Sequence, residues 1–414
     1  MGFTYGLAVI LLIFERIIIQ CECAGDATSS NPIQNASTTD IVGDQPILPN
    51  DLIEVIFGKN DFETIQKVVQ SRILRTTGII MNRILQDRII VIMPKFDGKI
   101  HEDHQFLTFD NYQRLMSFFD KFGDQVKKIK IVYKKNVPHT EIYQNVIKKC
   151  AKNLEELRIT TLDDKGFWGN ISDGENGVIF PEVKKFQIFG QSQTNNFKLN
   201  LIFPKLESFK LLGDVVDVDC LAHVTTLKQL TLCTDSIKEH QLGDIFANNE
   251  NMMKISLLMP EEAKTMHSIA KYLTKLKTLK VQYPRENFLL RANNNAVYEQ
   301  VPSVTQFGII FDEMDEIFGF GNFSFDMPNL EKLILYGNRT DGRIINFIEH
   351  FKKLKIVELF IKEYNAVECI GKLHHIKEFT TNFFEDLFNS MGTMFESFDE
   401  NSKLQTLKFV DFDE

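Results

Sequence analysis

The sequence predicts an α/β solenoid, in which parallel strands line the inner face of a curved array and helices cover its outside. Three observations predict it. A seven-residue frame with apolar residues at its second, fifth and seventh positions recurs through most of the 414-residue chain. Segments with helical periodicity lie between many copies of the frame. The copies start 21 to 29 residues apart, which leaves room for one strand, one helix and their connections in each unit.

The frame is clearest in NLEKLIL, which begins at Asn329 and has the L-x-x-L-x-L spacing of a leucine-rich repeat. Twelve copies begin at Gln125, Asn153, Glu182, Lys205, Thr226, Asn251, Lys275, Ser303, Asn329, Lys353, His375 and Lys403. Each repeat can bury its apolar residues only against its neighbours. We therefore expect residues 87–414 to form one solenoid, with about twelve irregular repeats from residue 125.

The elements around the frames follow from the same patterns. The β-branched run from Arg88 to Met93 predicts a first strand. Helices are predicted over residues 109–122, 139–150, 239–248, 261–273, 342–351 and 385–398. The chain contains 36 phenylalanines. Many of them lie at frame positions that need bulk, which predicts an aromatic solenoid core rather than a ligand site; they include Phe186, Phe209, Phe307 and Phe379.

Side chains alternate along a strand, so the residues between the apolar positions are predicted to face the concave side. Lysine and arginine recur there in the first six or seven repeats, and apolar and aromatic residues follow around Ile334 and Ile356. A basic stretch beside an exposed apolar patch is typical of a protein-binding surface, and ordinary solvated strand residues are the alternative. The residues predicted to bind a partner protein are Lys128, Lys130, Arg158, Lys210, Lys254, Lys280, Tyr336 and Phe360.

Charge and cysteine spacing argue against several other functions. A net charge of −9 argues against a general nucleic-acid-binding protein. Cys150, Cys220, Cys233 and Cys369 are scattered singly, without zinc-ligand spacing, and are expected to be buried free thiols. No motif for a nucleophile, a phosphate loop or a metal site stands out. We therefore predict a protein without enzymatic activity, cofactor or metal.

The first 45 residues read as a secretion signal and a linker. Residues 1–23 have a short apolar core, and Cys21 and Cys23 stand at the −3 and −1 positions of a cleavage site before Ala24. The apolar run is too short for a membrane-spanning helix, so no membrane association is expected after cleavage. Residues 24–45 are rich in Ser, Thr, Asn, Asp and Gly, which predicts a disordered linker.

Residues 46–86 predict a small helical module. Pro49 opens a helix whose apolar face includes Leu52 and Ile56, and a second apolar face follows the turn at residues 58–61. The pattern Leu-Pro-x-x-Leu-x-x-x-Ile-Phe, followed by spaced apolar residues, resembles an F-box. The residues that carry the resemblance, and that it assigns to adaptor binding, are Leu48, Pro49, Leu52, Ile53, Ile56, Phe57, Ile65 and Val68.

The F-box resemblance implies a function. F-box helices bind the Skp1 adaptor of cullin-based ubiquitin ligases, and an F-box ahead of leucine-rich repeats is the order found in substrate receptors. With the predicted signal, the chain is similar to the secreted salivary F-box/leucine-rich-repeat effectors of gall midges. The resemblance implies a secreted effector, delivered into a host cell, that binds Skp1 and a client protein. Two alternatives stay open: an extracellular repeat receptor or decoy with residues 46–86 as a cap, and an intracellular F-box protein.

Overall fold

The strands of the solenoid are parallel and follow the frames. The computed structural model describes residues 85–93, 104–108, 112–134, 140–164, 177–192, 198–213, 218–234, 237–258, 262–283, 299–311, 325–339, 343–363, 373–382 and 402–410. Within these ranges, strands β1 to β16 are Ile89–Met93, His104–Thr108, Lys128–Lys134, Glu156–Asp164, Lys185–Ser192, Ser208–Leu212, Gln229–Cys233, Lys254–Leu258, Thr278–Tyr283, Glu299–Gln300, Gln306–Phe311, Phe325–Asp326, Lys332–Arg339, Ile356–Glu363, Glu378–Asn382 and Thr406–Val410.

The outer layer of the described residues is more irregular than the strands. Its helices α1 to α6 are Tyr112–Phe122, Thr140–Cys150, Leu199–Ile202, Glu239–Ala247, Glu262–Tyr272 and Arg343–His350. Short 3-10 helices cover Gly123–Gln125 and Asp219–Leu221. Five predicted helices match α1, α2, α4, α5 and α6 to within a few residues, and the helix predicted over residues 385–398 lies outside the described residues. Where β10 pairs with β12, a two-stranded ladder stands in the outer layer of two neighbouring repeats.

Fourteen of the strands form one sheet in the order β16-β15-β14-β13-β11-β9-β8-β7-β6-β5-β4-β3-β1-β2. Every pairing in it is parallel; for example, Ile90 of β1 pairs with Ile129 of β3 and with Gln105 of β2. The chain therefore reverses its order once, because β2 pairs with the outer edge of β1 and β3 with the inner edge. The sequence predicted β1 as the first strand of the stack, and the structure places β2 outside it.

Burial of the frame residues explains why the stack holds together. Leu154, Leu157 and Ile159 of the second frame are fully buried, and the second, fifth and seventh positions are buried in each of the first eleven frames. Because each buried residue contacts the repeats on either side, burial of apolar area stabilises the array repeat by repeat. The twelfth frame differs, since Leu404 and Phe409 are only half-buried.

The predicted phenylalanine core is confirmed at all four positions. Phe186, Phe209, Phe307 and Phe379 are buried. One ring cluster joins the third and fourth frames, where the ring centroid of Phe186 lies 4.7 Å from Phe203 and 5.7 Å from Phe209. Rings at these separations add offset or edge contacts to their area burial, which binds neighbouring repeats tightly.

The described residues thus form an α/β leucine-rich-repeat solenoid with parallel strands on the inner side and helices outside. All described residues belong to one compact unit, Glu54–Glu414. The signal, the linker and nearly all of the F-box-like module, which were predicted over residues 1–86, lie outside the described residues.

Candidate functional site

The inner face of the sheet consists of the side chains at the fourth and sixth frame positions, together with the position just after the frame. Strand register aligns them in rows. One row begins Lys128, Glu156, Lys185, and the next begins Lys130, Arg158. Since paired strands lie about 5 Å apart, the nearest neighbours of each inner-face charge are on the adjacent strands.

All eight residues predicted to bind a partner protein lie on this face. The first row contains Lys128 and Lys254, the second contains Lys130, Arg158, Lys210 and Lys280, and the third contains Tyr336 and Phe360. Strand alternation places them on one face, as the sequence predicted, but they are spread from β3 to β14. Their role in binding stays a prediction.

A carboxylate that faces inward neutralises part of the predicted cationic surface. Glu156 is only 5% exposed. Its Oε1 accepts a hydrogen bond from Arg158 Nε at 2.5 Å, and its Oε2 lies 4.0 Å from Lys185 Nζ. The charge of Arg158 is therefore compensated within the protein, and this side chain is held in place rather than free to meet a partner.

Lys128 is engaged as well. Its Nζ donates a hydrogen bond to the backbone carbonyl oxygen of Asp87 at 2.8 Å, which ties β3 to the start of the described chain. Lys130 has no ion pair with any described residue, and it is half-buried. The expectation of a cationic surface over the first six or seven repeats is therefore too broad, because Lys128 and Arg158 are engaged within the protein.

Among the described residues, three inner-face lysines without an ion pair lie on strands β6 to β9. Lys210, Lys254 and Lys280 form no ion pair with any described residue. Lys210 Nζ lies 5.4 Å from the centroid of the Phe189 ring, which supports the ammonium by a cation–π contact. A Cβ on Gly308 would lie 3.0 Å from Lys280 Cγ, so the absence of a side chain there leaves room for the lysine stem.

The aromatic end of the inner face lies close to these lysines. The rings of Tyr336 and Phe360 stack at 4.8 Å with an angle of 14° between their planes. Lys332 Nζ pairs with Glu358 Oε1 across the same two strands at 2.7 Å. Burial and the charge of Glu358 raise the pKa of Tyr336, so its hydroxyl stays protonated and can donate a hydrogen bond. These contacts hold the aromatic pair in one geometry.

Ile334 was predicted to belong to the exposed apolar patch, and this is wrong. It is 3% exposed although it stands on the inner face. Its register partners are Gly308 and Glu358, and on its own strand it lies between Lys332 and Tyr336. Lys332 pairs with Glu358, and Tyr336 stacks on Phe360, on either side of this position, so the patch presents the aromatic stack and not the isoleucine.

A second surface, which the sequence did not reveal, runs along the rim of the solenoid. We define the rim as the side chains at the first and third frame positions, next to the start of each strand. Most of its charges pair between neighbouring repeats; examples are Lys127–Glu155 at 2.6 Å, Lys205–Glu182 at 2.7 Å, Lys228–Glu207 at 2.9 Å and Lys355–Glu331 at 2.9 Å. The hydrogen bond from Lys355 lowers the pKa of the Glu331 carboxyl.

The ladder of rim pairs is interrupted at Met253, which is 41% exposed in the third position of the sixth frame. The neighbouring rim residue of the next repeat, Lys277, is exposed and has no ion pair with a described residue. A groove of about 680 Å³ opens at this point. Its lining includes Glu207, Lys228 and Lys275 besides Met253 and Lys277. We call it the rim groove.

The remaining predicted features find the following places. All eight residues assigned to adaptor binding, from Leu48 to Val68, lie outside the described residues. Among the described residues, no group of His, Cys, Asp or Glu is arranged to hold a metal ion. Cys150 is a buried free thiol, whereas Cys220 and Cys233 are only half-buried, and Cys369 is not described. Within the described ranges, no helix is long and apolar enough to cross a membrane.

Comparison with known proteins adds similarity of fold at low identity. An internalin from Listeria monocytogenes shares 16% identity with a TM-score of 0.37, over 72% of this chain and 89% of the internalin. TLR13 in its complex with ssRNA13 shares 14% identity with a TM-score of 0.41, over 71% of this chain and 44% of TLR13. No family model and no curated protein matches the sequence. The class of the described part, a leucine-rich-repeat solenoid, rests on its own repeat pattern and strand order.

Proposed function

We propose that this chain is a non-catalytic receptor that binds a client protein on its inner face and recruits a Skp1-like adaptor through residues 46–86. The observation that carries the first half is the arrangement of the inner face. Free lysines on β6 to β9 stand beside a fixed aromatic stack on β13 and β14. From Lys280 the row passes Gly308 to Ile334, so the stack lies about two strand spacings, roughly 10 Å, away.

This combination fits a protein partner. Aromatic residues are enriched at the centres of protein interfaces because they bury a large rigid area at little cost in conformational entropy. Tyr336 and Phe360 are already stacked before a partner arrives, so little ordering remains when they are covered. On the same face, Lys280 two strand spacings away and Lys254 and Lys210 further along favour an acidic partner surface and speed its approach.

The second half of the proposal rests on the F-box resemblance of residues 46–86. The adaptor residues it assigns include Leu52 and Ile56, which the helical periodicity places on one apolar face. The recruited cullin ligase supplies the catalysis, and the solenoid supplies the specificity. The predicted signal places the protein in the secretory route, from which it reaches the cytoplasm of a host cell.

Adaptor binding is tested with the full chain after the signal and a purified Skp1 protein, by isothermal titration calorimetry. We expect binding for the wild type and its loss in Leu52→Asp with Ile56→Asp, because burying two unpaired carboxylates in an apolar contact is strongly unfavourable. Lys210→Glu with Lys280→Glu is the matched control and should leave Skp1 binding intact. If the wild-type chain does not bind Skp1, the adaptor half is wrong, and an extracellular receptor or decoy becomes the better proposal.

Client binding is tested by affinity purification from recipient-cell extract with the same variants. A client held by the inner face should be lost in Lys210→Glu with Lys280→Glu and retained, without Skp1, in Leu52→Asp with Ile56→Asp. Equal recovery with the inner-face variant would contradict the proposed client site.

Secretion is tested by N-terminal sequencing of the protein from its native tissue, together with mass spectrometry of the Asn-x-Ser/Thr sites at Asn170 and Asn338. A mature chain that begins at Ala24 is the expected result. A native chain that retains residues 1–23 would point to an intracellular F-box protein instead.

A further inference from the structure

The rim groove is held in shape by hydrogen bonds that do not depend on a partner. Asn249 is 2% exposed, and its Oδ1 accepts a hydrogen bond from the backbone N–H of Leu227 at 2.8 Å. Its Nδ2 donates to the carbonyl oxygens of Val224 at 2.7 Å and Ile245 at 2.9 Å. Thr226 Oγ1 donates to the carbonyl oxygen of Leu206 at 2.5 Å. Residues 225–228, which form one wall of the groove, are therefore hydrogen-bonded to the repeats on both sides.

The charge of the groove is unbalanced. Of its lysines, Lys228 is neutralised by Glu207 at 2.9 Å, and Lys275 donates to the neutral side-chain oxygen of Asn251 at 2.6 Å. Lys277 has no ion pair with a described residue. Among the described residues, the charges of Lys275 and Lys277 thus have no carboxylate partner, on a chain whose net charge is −9. A complementary partner is acidic at this point.

The groove also has an apolar centre. Met253 lies between Lys228 and Lys277 along the rim. Its backbone N–H donates to the carbonyl oxygen of Lys228, and its own carbonyl oxygen accepts from the N–H of Lys277. Of the described large hydrophobic side chains, Met253 is among the few that are exposed. Methionine is flexible and polarizable, and it adapts to apolar partners of different shapes. An exposed methionine between lysines offers contact to one apolar side chain flanked by acids.

The rim groove is continuous with the free lysines of the inner face. Lys254 follows Met253 directly in the sequence and lies on the inner face at the start of β8. Lys280 lies one row further along β9. A partner segment that lies across β6 to β9 therefore reaches Met253 where it leaves the inner face, at the amino ends of the strands.

We propose that the rim groove binds an acidic segment of the client protein, with one apolar side chain against Met253 and carboxylates beside Lys275 and Lys277. This inference rests on the proposed protein-binding function and extends the client site beyond the inner face. It gives the client a chemical description: an acidic surface on the inner face that continues into an acidic, extended segment with an apolar residue.

The test uses the full chain after the signal and a fluorescein-labelled peptide of about eight residues, in which one leucine is flanked by aspartates and glutamates. In an extended conformation the peptide spans roughly 26 Å, which is more than the roughly 15 Å from β6 to β9 across the sheet. Fluorescence anisotropy at low ionic strength measures its affinity, since salt screens exposed charges. A second peptide replaces the leucine by serine, and a third replaces the acids by lysine.

We expect the leucine peptide to bind the wild-type chain, the serine peptide to bind at least tenfold more weakly, and the lysine peptide not to bind. Met253→Asp and Lys277→Glu should each weaken binding of the leucine peptide about tenfold. Both side chains are exposed, so these variants should fold, which circular dichroism checks. Lys355→Glu, at an equivalent rim position far from the groove, is the matched control and should bind like the wild type.

Three outcomes would overturn the inference: no binding of the leucine peptide, equal binding of the leucine and serine peptides, or unchanged affinity in Met253→Asp. Equally tight binding of a single-stranded RNA of the same charge would also overturn it, because the groove would then recognise negative charge alone. Lys210→Glu with Lys280→Glu separates the two proposals. If that variant loses the client while Met253→Asp retains it, the rim inference fails and the inner-face receptor stands.

Discussion

Two regions of the inner face carry the same residue types at equivalent positions but differ in what their charges can do. On β3 to β5, Glu156 neutralises Arg158 and lies 4.0 Å from Lys185, and Lys128 donates a hydrogen bond to a backbone carbonyl. On β6 to β9, the lysines have no such partners among the described residues. The frame position determines which way a side chain points. Whether its charge is available to a partner depends on the residue in register on the next strand.

The largest effect is expected at the boundary of the two regions. Phe186 lies on β5 and packs on Phe203 and Phe209 of the following repeat. Phe186→Ala should lower the free energy of unfolding by about 3–5 kcal/mol, because it removes a fully buried ring and leaves a cavity. Urea denaturation measures the change. Phe189→Ala, a half-buried ring on the inner face of the same strand, should cost much less; similar losses would show that the boundary is not packed as described.

The comparison between the regions is broken most directly at Glu156. Glu156→Gln should lower the free energy of unfolding by about 1–3 kcal/mol, since Arg158 loses a largely buried charged partner. It should also raise the affinity for an acidic client on the inner face, because β3 to β5 then present free cations as β6 to β9 do. Glu155→Gln, which removes an exposed rim pair with Lys127, is the control and should change stability by less than about 1 kcal/mol. An unchanged client affinity in Glu156→Gln would mean that compensation does not distinguish the regions.

Neutralising lysines on the inner face tests the same comparison and is expected to change client affinity by a smaller amount. Lys210→Gln with Lys280→Gln should weaken an acidic client by about 1 kcal/mol, or roughly fivefold, as expected for exposed charges. Lys185→Gln, which removes a cation already shared with Glu156, should leave client affinity nearly unchanged. Surface plasmon resonance resolves differences of this size. Equal losses from the two changes would remove β6 to β9 as the preferred region.

The smallest effect concerns His375, which lies outside both regions. Burial first, and then the charge of Lys352, lowers its pKa below the usual 6.5. The unfolded chain therefore binds the proton more readily, and stability should fall as the pH drops below about 6.5. His375→Gln should flatten this dependence in melting experiments between pH 5 and 8. Neither region contains a histidine on its inner face, so this titration should not alter the difference between them.

Much of the fold could be predicted because it repeats within the sequence. The frames alone identified the buried triplets, such as Leu154, Leu157 and Ile159, and the helices between them showed their own periodicity. The position of β2 could not be predicted in this way. Its place outside β1 depends on which edge of a strand is free, and residue spacing carries no such information. Residues 46–86 lie outside the described residues, so the F-box assignment stays a prediction.

For the candidate site, the sequence predicted which side chains face inward but not which of them are paired. Alternation placed Lys210 and Tyr336 on one face, but it did not reveal that Glu156 faces inward between two cations. Ile334 was assigned to an exposed patch because the frame shows only its own strand. The Lys332–Glu358 pair and the Tyr336–Phe360 stack join two strands, so residue spacing does not reveal them. The rim groove was missed because Met253 stands at a frame position where no residue type is required. Asn249 was missed because its hydrogen bonds reach back to the preceding repeat.

The reversed order of β1 and β2 has a consequence for how the array assembles. These two strands are close in the sequence and can pair early, while the chain is still being synthesised, at a small entropic cost of loop closure. The other edge of β1 is the one that pairs with β3, and the later strands follow from β3 in order. The parallel β1–β2 pair can therefore serve as the starting point from which the stack extends in a single direction.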